Sequence, residues 1–113
     1  MSEVFLYLTT TGHKSGRPHR IEIWFVEIDS RYYVISEQYN VSHWVRNIRA
    51  NPQIRLSIGT RDQPENTLAL TAGRATFVMP EEQPDLATQV RAAMQAKYNW
   101  STGLIVQLEP VQP

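Results

Sequence analysis

The chain has no cysteine. Disulfides, thiolate metal sites and thiol nucleophiles are therefore excluded. It also lacks net charge, because eleven Lys and Arg balance eleven Asp and Glu. The overall basic footprint that nucleic-acid binding calls for is missing. Small barrels with aromatics and cations do bind single strands, but the neutral balance argues against it, and no nucleic-acid partner is expected. No apolar run approaches the ~20 residues of a membrane span. The N-terminus has no basic segment followed by an apolar core, so it does not read as a signal peptide. No membrane partner is expected, and the default location is cytoplasmic. His13, His19 and His43 do not have the spacing of a metal site, so no metal is expected. With 113 residues the chain fits one domain over 1–113. A chain of this size buries only about two-thirds of its unfolded surface. Association would help it, and a homodimer is expected.

Glycine is scarce as well, with five in the chain, yet two fall in one stretch of twelve residues. That stretch runs Thr9-Thr10-Thr11-Gly12-His13-Lys14-Ser15-Gly16-Arg17-Pro18-His19-Arg20. No acidic residue lies between Glu3 and Glu22. Apolar, β-prone runs precede and follow it, so it connects two strands. Glycines let successive backbone N–H groups face one way. Hydroxyls add donors, and Lys14, Arg17 and Arg20 add charge. These parts fit an anion, most simply a phosphate. A basic solvated turn has the same composition. The stretch is neither a P-loop nor a dinucleotide fingerprint, since the required glycine spacing before a helix is absent.

Along the chain, residues 3–9 read as a strand buried on both faces. Residues 19–28 form the longest β-prone run, with Ile21, Ile23 and Phe25 on one face and Trp24, Val26 and Ile28 on the other. The last three are expected to meet a partner subunit. Residues 31–37 return as an antiparallel hairpin. Ser42 reads as the cap of a helix with Val41, Trp44, Val45 and Ile48 on its apolar side. Asn51-Pro52 ends that helix. Residues 53–59 alternate as a half-buried strand. Residues 67–79 read as a strand pair or one bent strand, with a bulge expected near Gly73 where the parity switches. Pro80 is expected to open a second helix, and 103–109 a final strand. The sum is a mainly β domain, a nearly closed antiparallel barrel of six strands with two helices.

Three segments carry a resemblance: Leu8 to Pro18, Glu22 to Val26 (Glu-Ile-Trp-Phe-Val), and His43 to Pro52 (His-Trp-Val-Arg-Asn-Ile-Arg-Ala-Asn-Pro). Together they resemble the deazaflavin-dependent nitroreductase family. That family uses coenzyme F420 and falls within the split β-barrel flavin-binding, pyridoxamine 5'-phosphate oxidase-like proteins. The resemblance implies an FMN-binding type of split barrel. It also implies an oxidoreductase moving hydride between F420 and a small acceptor such as a quinone, nitro compound or enone. In it, Thr11, His13, Lys14, Ser15, Gly16, His19 and Arg20 would hold the phosphoryl or acidic end of the cofactor. Ser36 would touch the ring, and Trp44 and Asn47 would line the pocket. His13 and His19 stand where the family often has arginine, and Glu37 where relatives carry lysine. FMN, with one phosphate and no acidic tail, is therefore the alternative cofactor. A non-enzymatic flavin or deazaflavin carrier is the alternative role. The cofactor does the hard chemistry in such enzymes, which accounts for the missing triad. Tyr39, Tyr98 or water is the candidate proton donor. Without the resemblance, Trp44 reads as core and the tyrosines as barrel-end fillers.

Overall fold

The computed structural model describes residues 3–111. Seven strands make one antiparallel sheet: β1 (Phe5–Thr11), β2 (Pro18–Ile23), β3 (Val26–Ile28), β4 (Arg31–Ser36), β5 (Gln53–Gly59), β6 (Leu68–Val78) and β7 (Leu104–Pro110). A 3-10 turn at Tyr39–Val41 leads into α1 (His43–Ala50), and α2 (Pro84–Tyr98) lies between β6 and β7. The strand order is β2-β1-β5-β6-β7-β4-β3. The two edge strands, β2 and β3, are joined by Trp24 and Phe25 alone. Three Cα steps span at most ~11 Å, so the sheet must curl until its edges nearly meet. The result is a barrel with a split between β2 and the β3–β4 hairpin.

The expected single strand over 19–28 is thus two strands, which makes seven rather than six. The cause lies far along the chain. The Phe25 N–H donates to Tyr98 Oη (3.1 Å), and Tyr98 Oη donates to the Phe25 carbonyl (3.0 Å). Lys97 Nζ donates to the same carbonyl (2.8 Å). Those backbone groups are satisfied by the end of α2 instead of a strand neighbour. The break also shifts the parity, so Phe25 and Val26 are both buried.

Inside the barrel, Leu6, Leu8, Val34, Leu56, Ile58 and Leu108 form one core, sealed at one end by Ile48 of α1. On the outer face, Tyr33, Ile35, Val78 and Ile105 pack against Ala87, Val90 and Met94 of α2. Strands β4 and β7 are therefore buried on both faces. Each fully buried aliphatic side chain stabilises the fold by about 1.5–3 kcal/mol.

Several expectations are corrected. Pro84, not Pro80, stands at the start of α2. Pro80 sits in a turn in which the Glu82 and Gln83 N–H groups donate to the Met79 carbonyl. The residues 68–78 form one strand, and its register shift falls opposite Leu56 to Ile58, not at Gly73. Gly73 marks a close approach: a Cβ there would lie 2.9 Å from the Glu109 carbonyl oxygen. Val41 precedes α1 and is exposed. The second half of β5 is buried on both faces, Ser57 included. Of the three residues expected at a subunit contact, Val26 is buried in the α2 cluster and Ile28 packs against it. Trp24 alone is left open, 38% exposed.

Candidate functional site

The β1–β2 connection is a closed loop. Thr11 pairs with Pro18, and the Gly12 N–H donates to the Arg17 carbonyl (2.8 Å). The Gly16 N–H donates to the Gly12 carbonyl (2.9 Å), and the Arg17 N–H to Ser15 Oγ (3.1 Å). Gly16 has φ of +72°, which disfavours any side chain. With the backbone so fixed, the side chains of His13, Lys14, Ser15 and Arg17 are exposed.

One buried amide bolts this loop to α1. Asn47, 4% exposed, accepts the His13 backbone N–H at 3.0 Å and meets His13 Nδ1 at 2.7 Å, both through Oδ1. Its Nδ2 donates to Thr10 Oγ1 (3.0 Å). The backbone donor settles which end of the amide is oxygen. His13 Nδ1 then faces an acceptor and must carry a proton, which leaves Nε2 as the free ring nitrogen. Asn47 is a positioning residue, and nothing in the helical periodicity around it signals burial.

Between loop and helix lies a cavity of about 450 Å³. His13, Lys14, Ser15, His19 and Arg20 line one side, and Trp44 and Asn47 the other. His43, Thr10 and Ile21 complete it. No carboxylate faces in. The ion pairs among the described residues are Arg31–Glu109 and Arg61–Glu22, so Lys14 and Arg20 have no carboxylate partner there. Arg20 instead lies 5.1 Å over the Tyr7 ring.

Seven of the ten expected cofactor residues thus meet around one cavity. Thr11 and Gly16 line the adjacent cavity on the other side of the loop. Ser36 is buried, its hydroxyl donating to the Tyr39 carbonyl (2.9 Å) and meeting Ser42 Oγ at 2.8 Å. Because the Ser36 proton is used on Tyr39, Ser42 donates to Ser36, and Ser42 makes no cap bond to its own helix. Neither candidate proton donor lines this cavity. Tyr39 is 51% exposed, and the Tyr98 hydroxyl is committed on both sides to Phe25.

A second concavity, about 580 Å³, opens at the split. Trp24, Trp100, Phe5, Ile23 and Ile35 line it, with Glu22 and Glu37. Trp24 stacks on Tyr98, centroids 4.5 Å apart at 5°, and Trp100 meets Trp24 edge-on at 6.1 Å. Glu22 is clasped by Arg61 (2.9 Å) and accepts the Tyr7 hydroxyl (3.0 Å). The Arg61 hydrogen bond holds the Glu22 carboxyl below its usual range. Burial, then the bond to Glu22, pushes the Tyr7 phenol up. Both cavities border β2, with Ile21 in one and Ile23 in the other.

Comparison with known proteins decides the affiliation. The family described as F420H(2)-dependent quinone reductase matches residues 1–107. The chain belongs to that family. It is accordingly an oxidoreductase that uses coenzyme F420 to deliver hydride to a quinone-like acceptor. Nothing among curated proteins matches at a significant level. Solved structures share the fold. HutZ, the heme storage protein from Vibrio cholerae, is 21% identical over 96% of this chain and 82% of its own, with a TM-score of 0.73. A candidate pyridoxamine 5'-phosphate oxidase from Listeria innocua is 14% identical over 96% and 84%, with a TM-score of 0.68. An F420 reductase is 19% identical over 96% and 87%, with a TM-score of 0.64. These neighbours are split barrels of the pyridoxamine 5'-phosphate oxidase type.

The loop cavity suits the cofactor's phosphoryl end on this chain's own chemistry. Its charged lining is wholly cationic, and the Ser15 and His19 side chains close over Gly12, where a Cβ would lie 2.6 Å from Ser15 Oγ. Among the described residues no cluster of three metal-ligating side chains occurs, and no helix is long and apolar enough to cross a membrane.

Proposed function

We propose that Lys14, Ser15 and Arg20, with His13 and His19, hold the phosphoryl end of F420, and that Trp44 forms the flat wall of that cavity. The observation that carries this is the pairing of unpartnered cations with an acid-free cavity. Charge-assisted bonds to phosphate are about twice as strong as neutral ones. When bound, the cofactor supplies the hydride. The chain binds, orients and shields. Asn47 fixes the loop so that the cations are preorganised and little ordering entropy is lost on binding.

The acceptor belongs in the aromatic cleft at the split. That cleft borders β2 next to the loop cavity, which keeps donor and acceptor close, as hydride transfer demands. Trp24 and Trp100 offer faces to a planar quinone or nitroaromatic ring. Glu22 and Glu37 favour a neutral acceptor over an anionic one. With both tyrosines engaged elsewhere or remote, the proton that completes quinol formation comes from solvent at the open cleft.

We place the working unit as a cytoplasmic homodimer, with the exposed Trp24 near the contact. Light scattering that returns a monomer mass of 13.0 kDa would remove this part. Turnover tests the whole. Reduced F420 should be oxidised by a soluble quinone, and by nitroaromatics if the cleft selects for planarity. Purified protein that arrives yellow with FMN and ignores added F420 would favour the FMN reading. Tight F420 binding without turnover across a broad acceptor panel would favour a carrier.

A further inference from the structure

The two cavities that border β2 carry opposite charge. Arg20 lines the loop cavity with Lys14, and Glu22, further along the same strand, lines the aromatic cleft with Glu37. Among the described residues, those two carboxylates are the only charged groups lining the cleft. Glu22 is spent on Arg61 and the Tyr7 hydroxyl. Glu37 is exposed and belongs to neither of the ion pairs among the described residues. Lys97 is tied to the Phe25 carbonyl, lies over the Phe25 ring, and does not line the cleft. The cleft also gathers two of the three tryptophans. Trp24 gives one face to Tyr98 and meets Trp100 at 64°, so the two indoles form a corner. Ring faces and a free carboxylate attract the same ligand, an organic cation. No phenol, imidazole, ammonium or hydroxyl group lines the cleft.

We infer that the preferred acceptors are planar heteroaromatic cations, of the N-alkylated pyridinium or acridinium class. The inference rests on the cleft being the acceptor site. A quinone needs a hydride and a proton to become a quinol, and the cleft has no side chain suited to give the proton. A heteroaromatic cation needs hydride alone. The electron pair forms a new ring C–H bond, the ring nitrogen loses its positive charge, and the proton that the reduced cofactor sheds on oxidation goes to solvent. The product is neutral, so the attraction that seated the substrate is lost and release is favoured. Part of that attraction has already gone in the transition state, so charge selection should appear in KM rather than kcat. The opposite linings on either side of β2 also keep an anionic cofactor and a cationic acceptor from exchanging places.

The test uses the full chain and two probes of one shape, N-methylacridinium and acridine, titrated by fluorescence in mildly alkaline buffer, where acridine is uncharged. The wild type should bind the cation about five- to tenfold tighter at low salt, and the margin should shrink as salt rises. Glu37→Gln should remove most of the margin and Glu37→Lys should reverse it, with melting temperature unchanged. With reduced F420, the wild type should convert N-methylacridinium to its dihydro form faster than the protein-free mixture does, and Glu37→Gln should raise the KM several-fold with little change in kcat. Trp24→Ala should weaken both probes. If both probes bind equally and both depend on Trp24, the acceptor cleft survives and charge selection is refuted. A margin untouched by Glu37→Gln refutes it equally, as does a cation that binds through Glu37 but is not reduced while a soluble quinone is. If Trp24→Ala leaves both probes at wild-type affinity, the cleft assignment falls as well.

Discussion

Replacing Asn47 separates fold from site most sharply. Asn47→Ala removes three hydrogen bonds, to the His13 N–H, His13 Nδ1 and Thr10 Oγ1. At about 1 kcal/mol net for each, the loss is about 2–3 kcal/mol. For a domain this size that lowers the melting temperature by roughly 10–15 °C. The loop also loses its anchor to α1, so cofactor affinity should fall with stability. Asn47→Asp behaves differently. A carboxylate still accepts both His13 hydrogens, and the Thr10 hydroxyl can turn to donate. Stability should stay within about 1 kcal/mol of the wild type. The new negative charge, however, borders the proposed phosphoryl site. Coulomb's law at intermediate dielectric sets that cost at about 1–2 kcal/mol, or about five- to thirtyfold in affinity. Thermal denaturation paired with fluorescence titration of F420 reads both effects. An Asn47→Ala protein that melts like the wild type would refute the bolt. A well-folded Asn47→Asp protein with undiminished affinity would refute the anion assignment.

Three further outcomes follow from the same contacts. Tyr98→Phe keeps the stack on Trp24 but frees the Phe25 N–H and one bond to its carbonyl; denaturant unfolding should show a loss of about 1–2 kcal/mol, and an unchanged midpoint would contradict the reason given for the strand break. Trp24→Ala should raise the quinone KM several-fold with F420 affinity unaltered, whereas a change in F420 affinity alone would move the acceptor elsewhere. The Glu22–Arg61 pair should be pH-dependent: because Arg61 lowers the Glu22 carboxyl below its ordinary value of 4.5, its contribution is fully present above that value and disappears as pH falls through the lowered one. The gap in melting temperature between wild type and Glu22→Gln should therefore be visible at neutral pH and shrink as pH falls below the ordinary carboxyl value of 4.5, and a gap that grows in acid would reverse the assigned sign.

The elements built on local pattern were readable in the sequence. Alternation at Ile54, Leu56 and Ile58 gave β5, and Asn51-Pro52 gave the end of α1. The two-sided apolar run at Phe5 to Leu8 gave a strand buried on both faces. What escaped notice depends on partners distant in sequence. Tyr98 breaks the β2–β3 run from 73 residues away, through bonds that no periodicity encodes. Asn47 carries no local sign of its burial, because its partners, Thr10 and His13, lie 37 and 34 positions earlier. The loop cations could be named from composition, but their lack of carboxylate partners could not. That depends on where Glu22 and Glu109 find Arg61 and Arg31. Ser36 was chosen through the family resemblance and Tyr98 as a phenol able to give a proton, and in this structure both hydroxyls serve the scaffold.

The most direct test compares F420 with its phosphate-free chromophore on wild type and Lys14→Ala. The account predicts that the wild type prefers the phosphorylated ligand and that Lys14→Ala loses most of this preference while binding the bare chromophore as before. Equal affinity of the wild type for both ligands, or a preference untouched by Lys14→Ala, would contradict it.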